Sequence, residues 1–303
     1  MQQHHNLKAR VVATFGRRLD LCFADCSEAT GRVKGRRLQP VCGDYVLAER
    51  LSNEPEWLIT EIVERRNELG RPNRQGKVDI LAANIDLVVV VTAELPVPDW
   101  FIVDRYLCAA ELMRAAGAIV FNKTDLGEAA PAILDSMDTY RKAGYPTLHC
   151  SAVSGSGMDD LRALIEERTA VFVGQSGVGK STLINALFGD DSLTTAPVSR
   201  KRQEGRHTTV NSKMRTLASG GHVIDSPGVR DYAPAITAPE EVAQAFPELR
   251  EAAPECRFAN CRHLQEPGCK VIEAVAAGTI AARRYESYRR LYRMSLDFQR
   301  KAQ

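Results

Sequence analysis

The feature that most constrains this chain is a glycine-rich octapeptide at residues 174–181. Its sequence is Gly174-Gln175-Ser176-Gly177-Val178-Gly179-Lys180-Ser181. It follows a short apolar, β-rich run at residues 169–173 and leads into a helix-like run that begins at Thr182. Glycines let successive backbone N–H groups turn toward one anion, and the helix N-terminus adds partial positive charge at the same point. Strand, glycine-rich turn and helix together predict a phosphate-binding P-loop over residues 174–182.

Two side chains of this loop have defined chemistry in P-loop proteins. Lys180 can reach the β- and γ-phosphates of a nucleotide, and the Ser181 hydroxyl can ligate Mg²⁺. A chance glycine-rich loop is the alternative, but the flanking patterns are those that the motif requires. The sequence therefore predicts a nucleotide site, with Lys180 as a candidate catalytic residue.

Length and composition are those of a globular protein. The 303 residues suffice for about two or three domains. A hydrophobic content of 44% and a charged content of 26% are ordinary. No apolar run approaches the ~18 residues of a membrane span, and the N-terminus lacks the apolar core of a signal peptide. We expect a cytoplasmic protein, a monomer, without a membrane or DNA partner.

Residues 1–70 contain short apolar runs separated by turn residues such as Gly-Asp and Gly-Arg pairs. Regularly spaced short strands of this kind predict a small β-barrel. A five-stranded OB-like barrel fits the length and would suit RNA binding, although periodicity does not separate it from an SH3-like barrel. Residues 70–77 include Pro72, Asn73 and Gly76 and are predicted to be a linker.

From residue 86 the pattern changes to alternating strands and helices, beginning with an apolar strand at residues 87–92. This alternation predicts an α/β domain over residues 71–233, built on a doubly wound, mostly parallel sheet with helices on both faces. Residues 234–303 are predicted to form a small helical domain. Because ligands of such sheets bind at the carboxyl ends of the strands, we expect the motifs there to form one site.

The tetrapeptide after the second strand of the α/β domain is Asn122-Lys123-Thr124-Asp125. The carboxylate of Asp125 can accept hydrogen bonds from N1–H and the 2-amino group of guanine, which adenine does not offer. Asn122 can brace the loop, and the Lys123 stem can cover the base. Ser151 and Ala152, after the next strand, can offer backbone N–H groups to the guanine O6. We therefore expect GTP or GDP rather than an adenine nucleotide.

Asp225-Ser226-Pro227-Gly228 resembles the Asp-x-x-Gly loop of GTPases, in which the aspartate holds Mg²⁺ through water and the glycine senses the γ-phosphate. Thr208 or Thr209 would complete the magnesium coordination, and we favour Thr209. In Ras-type GTPases the P-loop precedes the guanine motifs, whereas here it follows them. The chain thus resembles a circularly permuted GTPase, which is physically tolerable because domain termini often lie close together.

Catalysis departs from the Ras-type pattern. The glutamine that orients the attacking water in Ras-type enzymes is replaced by Val229, which cannot hydrogen-bond water. His207 stands beside the candidate magnesium threonines, and a neutral imidazole can accept a hydrogen bond from water near pH 7. One alternative is that His207 only packs in its loop or contacts a partner. In that case another residue orients the water, or turnover is slow until a partner accelerates it. We assign His207, Lys180 and Asp225 as candidate catalytic residues.

Four candidate zinc ligands lie within fourteen residues, as Cys256-x₄-Cys261-x-His263-x₅-Cys269. Three thiolates and an imidazole form a recognised structural zinc set, and four protein ligands leave no open position for catalysis. The short C-terminal domain has little core, so zinc binding could supply its folding energy. Surface thiols beside an unrelated histidine are the alternative.

The remaining cysteines and the charge clusters have simpler interpretations. Five cysteines (Cys22, Cys26, Cys42, Cys108 and Cys150) lie singly in apolar surroundings and are interpreted as small buried residues. Basic residues cluster at residues 1–37, 200–206 and 283–301, which indicates either polyanion binding or solvated surfaces. Three tyrosines of the last helix (Tyr285, Tyr288 and Tyr292) share one face, which favours an apolar stripe over RNA stacking.

Together these features resemble the bacterial ribosome small-subunit-dependent GTPases. The resemblance covers the barrel, the rotated motifs, the Cys-x₄-Cys-x-His-x₅-Cys spacing and one further segment, Gly205-Arg206-His207-Thr208-Thr209. It implies an OB-fold domain, a central GTPase domain with Mg²⁺ and a zinc domain. It also implies GTP hydrolysis stimulated by the 30S subunit, late 30S maturation through contacts with 16S rRNA, and catalysis by His207.

Two other functions remain open on the residues alone. The chain could be a GTP-gated RNA-binding module that acts on RNA other than the ribosome, with hydrolysis incidental. It could also be a P-loop kinase, although residues 122–125 and 225–228 argue against that.

Overall fold

Five strands at the N-terminus form a closed barrel in the computed structural model, which describes residues 6–35, 37–51, 54–73, 77–189, 212–226, 234 and 236–302. The strands are β1 (Leu7–Phe15), β2 (Arg18–Phe23), β3 (Glu28–Val33), β4 (Tyr45–Arg50) and β5 (Trp57–Ile62). They pair in the order β1-β2-β3-β5-β4, and β4 pairs back onto β1. Alternate side chains such as Val11, Leu21 and Ile59 fill the interior. The predicted OB-like barrel is confirmed.

A β-hairpin occupies the segment that was predicted as a linker. Its strands are β6 (Glu68–Pro72) and β7 (Val78–Ala83), which pair antiparallel. Asn73 and Lys77 close the turn, since the Asn73 N–H donates to the Lys77 carbonyl at 2.7 Å. The linker prediction is wrong for residues 70–72, which belong to β6, whereas residues 74–76 lie outside the described part of the chain. The domain boundary predicted at residue 70 falls inside this hairpin.

The central sheet contains β8 (Leu87–Ala93), β9 (Ala116–Asn122), β10 (Thr147–His149), β11 (Thr169–Val173), β12 (Ser212–Thr216) and β13 (His222–Asp225). Their order is β10-β9-β8-β11-β13-β12, with β12 antiparallel to β13 and the other pairs parallel. Helices α1 (Trp100–Leu112) and α2 (Pro131–Lys142) pack on one face. Helices α3 (Met158–Ile165) and α4 (Lys180–Phe188) pack on the other. The doubly wound, mostly parallel sheet is confirmed.

The barrel and the central sheet share hydrogen bonds through β1. This strand pairs antiparallel with β12, so that Ala13 faces Lys213 and Thr14 faces Ser212. The result is one continuous sheet of eleven strands. The sequence pattern did not predict this junction. Neither β1 nor β12 has a pattern that distinguishes an edge strand of its own sheet from a strand that pairs with the other sheet.

The C-terminal region contains α5 (Pro247–Ala252), α6 (Lys270–Ala276) and α7 (Ala282–Ala302). Its apolar core includes Cys108 of α1, so the region is packed on the central domain. Arg284 of α7 is 1% exposed and pairs with Asp104 at 2.9 Å and Glu248 at 2.6 Å. Such a buried arginine is held by charge-assisted hydrogen bonds. Part of the basic cluster at residues 283–301 therefore serves internal contacts.

Two interpretations of side chains are settled by burial. Tyr288 and Tyr292 are buried, as expected for an apolar stripe, and Tyr285 is half-buried. Cys42, Cys108 and Cys150 are buried as predicted, and Cys22 is half-buried. Cys26 is exposed, so that prediction is wrong; it lies in the turn between β2 and β3, where the backbone leaves the barrel wall. Among the described residues, no helix is long and apolar enough to cross a membrane.

Candidate nucleotide site and metal centre

The P-loop takes the strand–turn–helix form that its sequence predicts. It connects β11 to α4, and Gly179 is the residue before the first turn of that helix, at φ +92°. Gly174 has φ +136°, and a Cβ there would lie 2.2 Å from the Val91 carbonyl oxygen. A Cβ on Gly179 would lie 2.4 Å from the Asn122 side-chain nitrogen. Both positions therefore require glycine, for backbone conformation and for space.

The lysine of the loop is held inside it. Lys180 is 6% exposed, and its ammonium donates to the carbonyl oxygens of Gly174 at 2.8 Å and Gln175 at 2.7 Å. Ser181 follows it in the first turn of α4 and is half-buried. The positive charge is thus placed beside the turned backbone amides and the positive end of a helix dipole, an arrangement that suits phosphate.

The Asn-Lys-x-Asp segment is hydrogen-bonded directly to the P-loop. Asn122 is 2% exposed and donates from its side-chain amide to the Val178 carbonyl at 2.9 Å. The Lys123 ammonium donates to the Gly177 carbonyl at 2.7 Å. These hydrogen bonds join two segments that are more than fifty residues apart in sequence. The predicted convergence of the guanine and phosphate motifs is present in the structure.

Ser151 orients the carboxylate that is expected to read the base. Its side chain is fully buried, and its hydroxyl donates to an Asp125 carboxylate oxygen at 2.5 Å. The same oxygen of Ser151 accepts hydrogen bonds from the N–H groups of Val153 at 3.2 Å and Ser154 at 3.0 Å. The expectation for Ser151 and Ala152 concerned their backbone N–H groups, and this side-chain role was not predicted.

Asp225 stands at the same edge as the P-loop. It ends β13, which pairs parallel with β11, so that the carboxyl ends of the two strands are adjacent. Four of the predicted site residues lie outside the described part of the chain: His207, Thr208, Thr209 and Gly228. Their roles remain predictions.

The segment between β8 and α1 contacts the P-loop, and the sequence analysis did not include it among the site residues. The Gln175 side chain accepts from the Asp99 N–H at 2.8 Å and donates to the Val97 carbonyl at 3.3 Å. Asp99 in turn caps α1, accepting from the Phe101 N–H at 3.0 Å. Gln175 was grouped with the nucleotide-binding residues, yet its side chain attaches the P-loop to α1. The two prolines at positions 96 and 98, directly after a buried strand, were the available signal.

The four predicted zinc ligands come together in the C-terminal region. Their ligand atoms all lie within 4.8 Å of one another. The Sγ atoms of Cys256 and Cys269 are 3.9 Å apart, and His263 Nδ1 lies 3.5 Å and 3.4 Å from them. A tetrahedral zinc ion with ordinary bond lengths would separate two sulfurs by about 3.8 Å and sulfur from nitrogen by about 3.5 Å. The donor set therefore fits Zn²⁺ in both chemistry and spacing.

The chain around this cluster is fixed by neighbouring hydrogen bonds. The Tyr285 hydroxyl donates to the carbonyl of His263 at 2.7 Å, and His263 has a φ of 55°, which is uncommon for a residue other than glycine. Burial raises the pKa of Glu266, but backbone N–H donors outweigh it and lower that pKa to about 2. These donors include the N–H groups of Arg262, Leu264 and Gln265.

Comparison with known proteins agrees with this geometry. The family model described as RsgA GTPase matches residues 62–234. The small ribosomal subunit biogenesis GTPase RsgA of Azotobacter vinelandii is 38% identical over 288 residues, covering 93% of this chain and 83% of that protein. The protein of the same name from Sodalis glossinidius is 40% identical over 294 residues, covering 93% and 84%.

Two solved structures share the fold along nearly the whole chain. The crystal structure of YjeQ from Thermotoga maritima has a TM-score of 0.76 at 26% identity, covering 96% of this chain and 99% of that one. The structure of YloQ, described as a circularly permuted GTPase, has a TM-score of 0.71 at 28% identity, covering 98% of each chain.

Proposed function

Because this chain belongs to the RsgA GTPase family, we propose that it hydrolyses GTP as a late maturation factor of the small ribosomal subunit. The observation that carries the proposal is the joining of three sequence-distant segments at one edge of the sheet. Residues 122–125 are hydrogen-bonded to the P-loop through Asn122 and Lys123, and to the 151–154 turn through Ser151. A guanine base and its phosphates would span these segments.

Selection of guanine would rest on Asp125. With one carboxylate oxygen fixed by the Ser151 hydroxyl at 2.5 Å, the carboxylate is oriented before the base arrives. It would accept hydrogen bonds from N1–H and the 2-amino group of guanine. An adenine in the same position would leave the carboxylate unpaired, and such mismatches can be discriminated by about 10⁴-fold.

Lys180 would hold the β- and γ-phosphates, helped by the backbone amides of the loop and the N-terminus of α4. Ser181 and Thr209 would ligate magnesium, and Asp225 would hold it through water. Bound Mg²⁺ neutralises charge that develops on the phosphates. His207 would orient the attacking water, since Val229 stands where Ras-type enzymes have glutamine. In the presence of 30S subunits, His207→Ala should hydrolyse GTP far more slowly than the wild type, and an unchanged rate would remove His207 from the mechanism.

The four-ligand cluster would hold one structural zinc ion. All four ligands come from protein, so the ion would stabilise the fold of the region at residues 234–303 without entering the reaction.

The barrel would bind 16S rRNA. A groove of about 880 Å³ on it is lined by the aromatic pair Phe23 and Trp57, whose ring centroids are 4.6 Å apart. Lys8, Arg18 and Arg50 also line it, among acidic and small residues. Aromatic rings and cationic side chains together suit single-stranded or unpaired nucleotides. We place the protein in the cytoplasm, as a monomer with a barrel domain, a central domain and a C-terminal domain over residues 234–303.

The test is GTP turnover by the purified protein alone, with 30S subunits, with 50S subunits and with tRNA. Partner groups can accelerate GTPases by up to about 10⁵-fold, so we expect strong acceleration by 30S subunits and none by the other two. Equal rates with and without 30S subunits would contradict the ribosomal role. Acceleration by tRNA alone would favour an RNA-binding module that acts away from the ribosome.

A further inference from the structure

Two buried serines join the strand that carries Asp225 to its neighbour. Ser212 begins β12, and Ser226 directly follows Asp225 at the end of β13. Their hydroxyl oxygens are 2.9 Å apart and share a hydrogen bond. The side chains are only 7% and 2% exposed. Because Lys213 faces Asp225 in the antiparallel register, the serines oppose each other as the next cross-strand pair.

Two apolar side chains lie beside this pair on the two strands. Met214 and Ile224, the neighbours on the same face of the two strands, belong to the hydrophobic core. A hydroxyl buried in such surroundings is unfavourable unless it has a hydrogen-bond partner. The Ser212 hydroxyl donates to the Ser226 hydroxyl oxygen, so movement of one strand end away from the other would leave both buried hydroxyls without this partner.

Ser212 is the better anchored of the two. Its strand pairs with β13 on one side and with β1 of the barrel on the other, where Ser212 faces Thr14. Ser226, in contrast, lies just beyond the last residue of β13. β13 is itself paired on both edges, but its registered pairing with β11 ends at Ile224, whereas Ser212 is still paired with β1. The hydrogen bond therefore ties the residue next to Asp225, which lies beyond that pairing, to a paired residue of β12.

We propose that Ser212 is a positioning residue for GTP hydrolysis, which fixes the backbone at Asp225 through the hydroxyl of Ser226. The inference rests on the GTPase activity proposed above, in which Asp225 holds magnesium through water. Supporting residues of this kind keep reactive groups within about 0.5 Å of productive geometry without contacting the substrate.

Four variants separate this role from a purely structural one. Ser212→Ala leaves the Ser226 hydroxyl buried without its partner. The double variant Ser212→Ala/Ser226→Ala removes both hydroxyls, and replacing both partners by apolar groups is nearly neutral for stability. Ser212→Thr keeps a hydroxyl. Thr216→Ala is the matched control, since Thr216 forms the cross-strand hydrogen bond with His222 at the far end of the same two strands.

A positioning role predicts that stability and turnover respond differently. The double variant should recover the thermal stability lost in Ser212→Ala, yet both should have a kcat about three- to tenfold below the wild type, the factor expected for one lost hydrogen bond. The KM for GTP and the affinity for GDP should not change. Ser212→Thr and Thr216→Ala should stay within twofold of the wild type. Recovery of kcat in the double variant, or a kcat for Ser212→Thr as low as that of Ser212→Ala, would overturn the proposal.

Amide hydrogen exchange on the nucleotide-free protein provides a readout that needs no catalysis. Exchange in residues 222–226 should be faster in the double variant than in the wild type or in Thr216→Ala. Equal protection in the double variant and the wild type would overturn the proposal. If the wild type hydrolyses no GTP, the proposed function fails, whereas the exchange measurement still decides whether the serine pair holds this strand end.

Discussion

Replacement of Ser151 by alanine tests whether the orientation of Asp125 determines affinity for the guanine base. Ser151 is fully buried, and its hydroxyl donates to the Asp125 carboxylate at 2.5 Å. The substitution removes this donor, and it also removes the acceptor for the N–H groups of Val153 and Ser154, while the carboxylate and the P-loop are unchanged. The change is therefore confined to how the Asp125 carboxylate and the adjoining 151–154 turn are held.

The expected magnitude follows from the type of hydrogen bond. Hydrogen bonds to a charged group contribute about 1.5–3 kcal/mol, and the contact is short, as charge-assisted bonds are. Since each 1.4 kcal/mol is a factor of ten in binding, affinity should fall by about 10- to 150-fold. GTP and GDP should be affected equally, because the contact proposed for Asp125 is with the base and not with the phosphates.

Titration with fluorescent GDP and GTP analogues measures this effect, and single-turnover hydrolysis at saturating GTP measures the chemical step. Ser154→Ala is the matched control, since Ser154 is an exposed serine of the same turn. Its hydroxyl contacts only the Ser156 N–H among the hydrogen bonds of the described residues, at 3.4 Å. A Ser151→Ala variant with affinity within threefold of the wild type, or with slow chemistry at unchanged affinity, would refute the reasoning.

Three further predictions concern the base, the metal and the pH dependence of stability. Asp125→Asn should bind GTP more weakly and favour xanthosine triphosphate in a competition assay; an unchanged preference would contradict the assignment. Zinc chelation, or Cys261→Ser, should unfold the C-terminal region before the rest in hydrogen exchange, while Cys26→Ser should not, and uniform melting would argue against a structural ion. Burial raises the pKa of Asp86, but hydrogen bonds, led by that from the Thr169 N–H, outweigh it and lower the pKa below its usual value. Its stabilising contribution is therefore present above about pH 4 and lost as the pH falls through the lowered pKa, so the Tm difference between the wild type and Asp86→Asn should shrink from pH 7 to pH 3.

The locally encoded parts of the site were predictable from sequence. Residues 174–181 form the P-loop as expected, because glycines, strand and helix are adjacent in the chain. The four predicted zinc ligands lie within fourteen residues, so their convergence needs only one short turn and a helix start. The meeting of Asn122 with the P-loop was also predictable, because parallel strands of one sheet place their carboxyl ends at one edge.

Interpretations that depended on one residue in isolation were less successful. The turn at Pro72 and Asn73 was interpreted as a linker, since turn chemistry is the same whether it joins domains or two strands of a hairpin. Cys26 was expected to be buried from its apolar neighbours, but the β2–β3 turn exposes it. Basic residues of the last helix were indistinguishable by sequence, and packing against α1 turned Arg284 toward Asp104.

Residue identity and spacing alone were enough to predict the strand–turn–helix form of residues 174–181, its meeting with residues 122–125 and the clustering of three cysteines with His263. Each depends on contacts among near neighbours or on a rule that holds for every parallel sheet. Side-chain pairs between distant strands were decided only by tertiary packing. The Ser151 contact with Asp125, the pairing of β1 with β12 and the Ser212–Ser226 hydrogen bond leave no periodic trace in the chain. The physical reason is that the identity of a serine or of a strand residue does not specify its partner. The partner is determined only when the folded backbone brings the two residues together.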